Sequence, residues 1–241
     1  MISNDKYIPN ELKIILTREE IERFSQLKII ISRLNILSNL TKLIDGYDYW
    51  ISQVYDSVWP YFEEKGDDYD NKKFIDLGSG CGFPGLAYAI THPNSEIFLI
   101  DSSRKKTAAL KKIVSEMDLK NNVFVINERI ESFAHDTNYR HKFDIGTARA
   151  LGSPEIVSEY IIPLLNENGR GILYCGKWNM DYHKKLEKSL EILNGSVKTI
   201  MNKILPAQKG ERNVIFVNPD SKCANNYPRR IGKPSKYPLG S

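Results

Sequence analysis

A chain of 241 residues with 41% apolar and 27% charged residues has an ordinary globular composition and can bury a substantial core in one large domain or one domain with an appendage. Nothing in it approaches the ~18 uninterrupted apolar residues of a membrane-spanning helix. The opening MISNDKYIPNELK lacks the basic-then-apolar layout of a signal peptide. Cys81, Cys175 and Cys223 are too scattered for a disulfide framework or a zinc site, which suits a reducing cytoplasm. The net charge of +4 is uneven: from Leu205 onward, seven basic residues face only Glu211 and Asp220, a hint of an anionic partner at that end.

Residues 1–70 read as a helical extension. Thr17-Arg18-Glu19-Glu20 is a capping box. Behind it, Ile21, Phe24, Leu27, Ile31 and Leu34 recur at helical spacing until Asn39-Leu40-Thr41 breaks the pattern. The spacing predicts a second helix over 47–62, with Trp50, Val54 and Val58 on the packed side. The polar stretch Gly66–Asn71 is the expected boundary to a catalytic core over 71–218.

That core opens on FIDLGSGCGFPGLAYAITHPNSEIFLID, residues 74–101: strand, glycine-rich turn, helix, second strand, acid. In a doubly wound sheet ligands bind at the carboxyl ends of the strands. Asp101 stands there, about 20 residues beyond the glycines, placed to accept from a ribose diol. Gly80–Gly85 matches the dinucleotide fingerprint G-x-G-x-x-G. The longer run Asp76-x-Gly78-x-Gly80-x-Gly82, however, resembles the first motif of class I methyltransferases. Pro84 also removes a donor where a pyrophosphate would be held. S-adenosyl-L-methionine leads as cofactor, with a nicotinamide dinucleotide as the alternative.

Helices are expected over 104–117, 154–165 and 181–193, and strands over 123–126, 143–147 and 171–175. Two last extended segments, 197–205 and 213–217, leave no room for a helix between them and should pair antiparallel. The fold class is α/β, a mostly parallel seven-stranded sheet with an antiparallel final strand. Residues 219–241, with three prolines after Asn226, read as a basic extended tail. His92, His135, His141 and His183 have no metal spacing, and no serine sits in a hydrolase elbow.

Two loops follow strands on the expected ligand side. Asn127-Glu128-Arg129-Ile130-Glu131 either meets an adenine edge or simply opens a short helix. At the second loop, Thr147-Ala148-Arg149-Ala150, Arg149 suits a carboxylate or phosphate; an ordinary salt bridge is the plainer reading. Neither the Asn/Asp-Pro-Pro-aromatic motif of amine methylation nor a cysteine nucleophile is present there.

Taken in series, Asn39-Leu40-Thr41, Tyr55-Asp56-Ser57-Val58, D-x-G-x-G-x-G-F-P-G, Asp101-Ser102-x-x-Lys105-Lys106, Arg129-Ile130-Glu131 and Ala148-Arg149-Ala150 resemble the RsmG (GidB) family over nearly the whole chain. The ending YPRRIGKP resembles its cyanobacterial members. This family methylates N7 of one guanosine in bacterial 16S ribosomal RNA. The resemblance implies a class I methyltransferase fold, S-adenosyl-L-methionine as cofactor, and cofactor contacts from Gly78, Gly80, Phe83, Asp101, Ser102, Ser103, Ile130, Glu131 and Arg149. It implies no catalytic acid, base or metal, because the reaction can run by positioning. It implies 16S ribosomal RNA or a small-subunit precursor as partner; the expectation for the chain itself is a cytoplasmic monomer with no membrane association. Arg229, Arg230, Lys233, Lys236, Tyr227 and Tyr237 are candidates for the RNA. Two positions depart from the family: Gln53 stands where many members carry histidine, and Cys175-Gly176-Lys177 stands where many carry Lys-Gly.

Overall fold

The computed structural model describes residues 5–64 and 69–241, so part of the expected boundary loop, residues 66–68, lies outside the described residues. The extension begins with α1 (Asn10–Ile15) and the long α2 (Arg18–Ser38). The capping box at the start of α2 is closed in both directions: the Glu20 N–H donates to Thr17 Oγ1 at 3.2 Å and the Thr17 N–H to Glu20 Oε2 at 2.6 Å. At the other end Asn39 takes a left-handed conformation, φ 45°, the C-terminal stop that asparagine tolerates better than most residues. The helix expected over 47–62 is three pieces: α3 (Gly46–Tyr49), a π-helical segment (Trp50–Tyr55) and α4 (Asp56–Glu63). Apolar spacing does not reveal the extra residue per turn. Its consequence appears at the site below, where this segment meets Arg149.

Seven strands follow with their helices: β1 (Lys73–Leu77), α5 (Gly85–Thr91), β2 (Glu96–Ile100), α6 (Arg104–Glu116), β3 (Val123–Ile126), α7 (Ile130–Phe133), β4 (Phe143–Arg149), α8 (Pro154–Ile161), β5 (Leu165–Cys175), α9 (Met180–Ile192), β6 (Gly195–Ile204) and β7 (Glu211–Pro219). They form one sheet in the order β3-β2-β1-β4-β5-β7-β6. β1 to β5 pair in parallel, and β7 is antiparallel to both β5 and β6, as the missing crossover helix requires.

Strand alternation splits the core in two. Phe74, Ile97, Leu99, Ile172 and Phe216 face α5, α6 and the N-terminal helices. Ile75, Phe98, Ile100, Leu173 and Ile215 face α8 and α9. Both faces are covered in the middle of the sheet, so β1, β2 and β7 carry near-continuous buried runs, while the edge strand β6 is largely exposed. The N-terminal helices share the first core: Leu12, Phe24, Ile31, Trp50, Val54 and Val58 are fully buried.

Residues 219–241 are not an extended tail throughout. They include α10 (Lys233–Lys236) and lie against the sheet's second layer, with Cys223 and Leu239 buried in its core. Arg140 explains the docking: its guanidinium donates to the carbonyls of Cys223, Ala224 and Tyr227 at 2.7–3.1 Å. Among the described residues, no helix is long and apolar enough to cross a membrane.

Candidate functional site

β1 has β2 on one side and β4 on the other, so the chain direction of the connections reverses there. In an open α/β sheet the crevice at such a point is the ligand site. Two adjoining cavities open at it. One, about 410 Å³, is lined by the glycine turn, Phe83, Arg149 and the π-helical segment. The other, about 300 Å³, is lined by Asp101, Ser102, Ile130 and Glu131. Gly78, Lys106 and Ala150 border both.

The glycine turn is organised by two carboxylates. Asp76, 1% exposed, lies beneath it: its Oδ1 accepts from Thr147 Oγ1 at 2.9 Å and its Oδ2 from the Gly85 N–H at 3.2 Å. Asp101 lies at its rim: Oδ2 accepts from the Gly80 N–H at 3.0 Å and Oδ1 from the Ser103 N–H at 2.8 Å. Each Asp101 oxygen is thus aimed by one backbone donor. Having about two acceptor sites apiece, the oxygens can still receive hydroxyls. Lys106 Nζ stands 3.9 Å away.

The residues present fit an adenosine-bearing sulfonium rather than a dinucleotide. Gly80 has φ +58°, and a Cβ built on it would meet nothing but the Gly78 carbonyl oxygen, at 3.7 Å. That methyl would stand in the cleft, where a ligand would lie. At the start of α5, by contrast, the donors a pyrophosphate needs are absent or engaged. Pro84 has none, the Gly85 N–H is held by Asp76, and the Leu86 N–H by the Gly82 carbonyl at 2.6 Å.

The larger cavity has a charged wall that sequence reasoning only half anticipated. Arg149 donates to the Ser52 carbonyl at 3.0 Å, to Asp56 Oδ2 at 3.2 Å and to Gln53 Oε1. Asp56 is fully buried, and its Oδ1 accepts from Arg212 Nε at 2.8 Å. Arg149 is therefore held by the π-helical segment and α4, with its guanidinium 6.0 Å from the Phe83 ring centroid. Gln53 also donates to Thr41 Oγ1 at 3.0 Å. Gly176 lines this cavity, and the neighbouring Lys177 is exposed. Asp56 and Arg212 were missed as site residues. The available signal was the Tyr55-Asp56-Ser57-Val58 string, which carries an acid inside an otherwise apolar stripe.

At the smaller cavity Ile130 and Glu131 are buried at the start of α7, so the loop both opens a helix and lines the cleft. Ser103 caps α6, its Oγ accepting from the Lys106 N–H at 3.4 Å, and Ser102 is exposed.

Asp76 gives this site a pH signature. Burial pushes its carboxyl up to about 6, against the opposing bonds from Thr147, Gly85 and Ser79 and the charge of Arg149. The folded chain therefore holds this proton more tightly than the unfolded one. The stabilising effect is complete below pH ~4 and is lost as pH rises through about 6, a swing of up to roughly 3 kcal/mol. Relative to Asp76→Asn, the wild-type chain should lose stability between pH 4 and 7. Urea unfolding of both proteins across that range checks it, and a pH-independent difference would refute the assignment.

Comparison with known proteins agrees with this geometry. Residues 20–214 match the model of the family GidB, described as rRNA small subunit methyltransferase G. The chain is 56% identical over 232 residues to the ribosomal RNA small subunit methyltransferase G of Prochlorococcus marinus subsp. pastoris, covering 96% of this chain and 97% of that protein. It is 42% identical to the protein of the same name from P. marinus strain NATL2A, covering 96% of this chain and 93% of that one. A putative O-methyltransferase from Klebsiella pneumoniae shares the fold, with a TM-score of 0.59 at 9% identity over 90% of this chain and 96% of that one. With the family model spanning most of the chain and both relatives matching nearly end to end, the chain belongs to the GidB family of rRNA small subunit methyltransferases G.

Proposed function

We infer that the chain is a cytoplasmic, monomeric enzyme that uses S-adenosyl-L-methionine to methylate N7 of a guanosine in 16S ribosomal RNA or a small-subunit precursor. The observation that carries the reading is the pair of cavities sharing Gly78, Lys106 and Ala150. A ribose acceptor, Asp101, borders one, and the other is open enough for a base. In this reading Gly78, Gly80, Phe83, Asp101, Ser102, Ser103, Ile130, Glu131 and Arg149 surround the cofactor. The bound sulfonium supplies an electrophilic methyl group.

The chain's own residues position rather than exchange protons. Guanine N7 offers an in-plane lone pair and bears no hydrogen, so no base is required. Among the described residues, the one carboxylate lining the larger cavity, Asp56, is already paired with two arginines. Alignment of two bound reactants can supply up to ~7–11 kcal/mol of the barrier. Arg230, Lys233, Lys236 and Tyr237 are exposed and available to phosphates and bases. Arg229 is not, because its guanidinium is bound to Glu159.

A second reading, a class I methyltransferase with another substrate, is separated by one experiment. Small-subunit RNA from cells lacking the gene is cleaved by borohydride and aniline at 7-methylguanosine. One cleavage present in the parent and missing in the deletion is expected. An identical cleavage pattern in both would move the enzyme to another substrate.

A further inference from the structure

We propose that the C-terminal segment is part of the cofactor site: residues 229–236 close its nucleoside end and hold the Glu131 carboxylate in place. The inference rests on reading the cleft as an S-adenosylmethionine site, and goes beyond it by assigning that site a wall from the far end of the chain.

Glu131, 6% exposed, is a carboxylate with little access to water. Its Oε1 accepts from the Gly232 N–H at 3.0 Å, and the next donor, Tyr160 Oη, is 3.5 Å away. Without the segment this oxygen would keep one long hydrogen bond, a costly state for a buried acceptor. Gly232 delivers its N–H from a left-handed turn, φ +78°, and nothing lies within 4 Å of where its Cβ would be. Backbone conformation, not space, is what favours glycine there. One turn on, Ser235 Oγ meets Tyr160 Oη at 3.2 Å. Gly232 and Ser235 line the smaller cavity directly, as do Asp101 and Ser102.

The segment is anchored well enough to act as a wall. Glu159, fully buried on α8, accepts from the Arg229 N–H at 2.8 Å, from its Nε at 2.8 Å and from its Nη2 at 2.6 Å. His135 Nε2 lies 2.7 Å from the Pro228 carbonyl oxygen. These contacts hold in place the segment that brings Gly232 and Ser235 to the smaller cavity. The segment is thus coupled to the ligand, and the coupling must run both ways.

The test uses the full chain and the double variant Arg229→Ala, Glu159→Gln, which detaches the segment without stranding a buried carboxylate. Both are titrated calorimetrically with S-adenosylhomocysteine and with adenosine, and amide exchange of residues 229–237 is followed in the wild type with and without saturating S-adenosylhomocysteine. The expected result is at least tenfold weaker binding of both ligands by the variant, and slower exchange of the segment when the ligand is present. A merely structural anchor would lower the melting temperature and leave the affinity of the folded protein unaltered. That result, or exchange indifferent to ligand, overturns the proposal. Should the variant not fold, exchange in the unaltered chain decides alone. A wild-type chain that binds no S-adenosylhomocysteine defeats the cofactor reading itself, a failure distinct from a bound ligand that ignores the segment.

Discussion

Asp56→Ala is expected to cost about 3–5 kcal/mol of folding stability, the range for removing one partner of a buried ion pair. Asp56 is fully buried and joins three elements, α4 through its own backbone, β4 through Arg149 and β7 through Arg212. Arg149 would keep Ser52 and Gln53 as acceptors, whereas Arg212 would lose a carboxylate 2.8 Å away. Two half-compensated cations would then line the larger cavity, so the wall should loosen along with the fold. Asp56→Asn, which keeps the volume and one acceptor, should fall between the two. Urea unfolding reads the difference. A loss below about 1 kcal/mol would place these pairs in the solvent-screened class instead.

Asp101→Ala should weaken S-adenosylhomocysteine binding by at least tenfold, about 1.4 kcal/mol or more. Two effects combine. The ribose acceptor disappears, and the N–H groups of Gly80 and Ser103 lose the oxygens that fix them, so the glycine turn and the start of α6 slacken together. Comparison of S-adenosylhomocysteine with its 2′,3′-dideoxyribose analogue separates the two. The wild type should discriminate strongly between them and the variant hardly at all. Unchanged affinity in the variant would remove Asp101 from the ribose.

Much of this arrangement can be read from local sequence, and the parts that cannot share a cause. The inner strands β1, β2 and β7 reveal themselves because both faces are buried. The capping box at Thr17, the glycine turn and Asp101 at the end of β2 follow from spacings of a few residues. The antiparallel β6–β7 pair follows from the absence of any helical stretch between them. Asp56 finds Arg149 and Arg212 at separations of 93 and 156 residues, and no local pattern encodes such a pairing. The π-helical segment is hidden likewise, since its apolar side chains suit either winding.

The C-terminal segment shows the limit most plainly. A basic, proline-rich stretch has the same composition whether its arginines meet phosphates or the chain's own carboxylates. Arg229 is spent on Glu159 and Gly232 on Glu131, the latter 101 residues away. Arg230, Lys233 and Lys236 face outward. The segment therefore divides between an inner edge bound to the chain's own carboxylates and an outer edge of exposed basic residues.

The most direct measurement is methyl transfer itself. The purified chain is incubated with methyl-labelled S-adenosylmethionine and 16S ribosomal RNA, both naked and in small subunits, from cells lacking the gene; the RNA is then digested to nucleosides. The predicted result is label in 7-methylguanosine alone, at one position. Label in any other nucleoside, or none from either form of the RNA, would contradict the account.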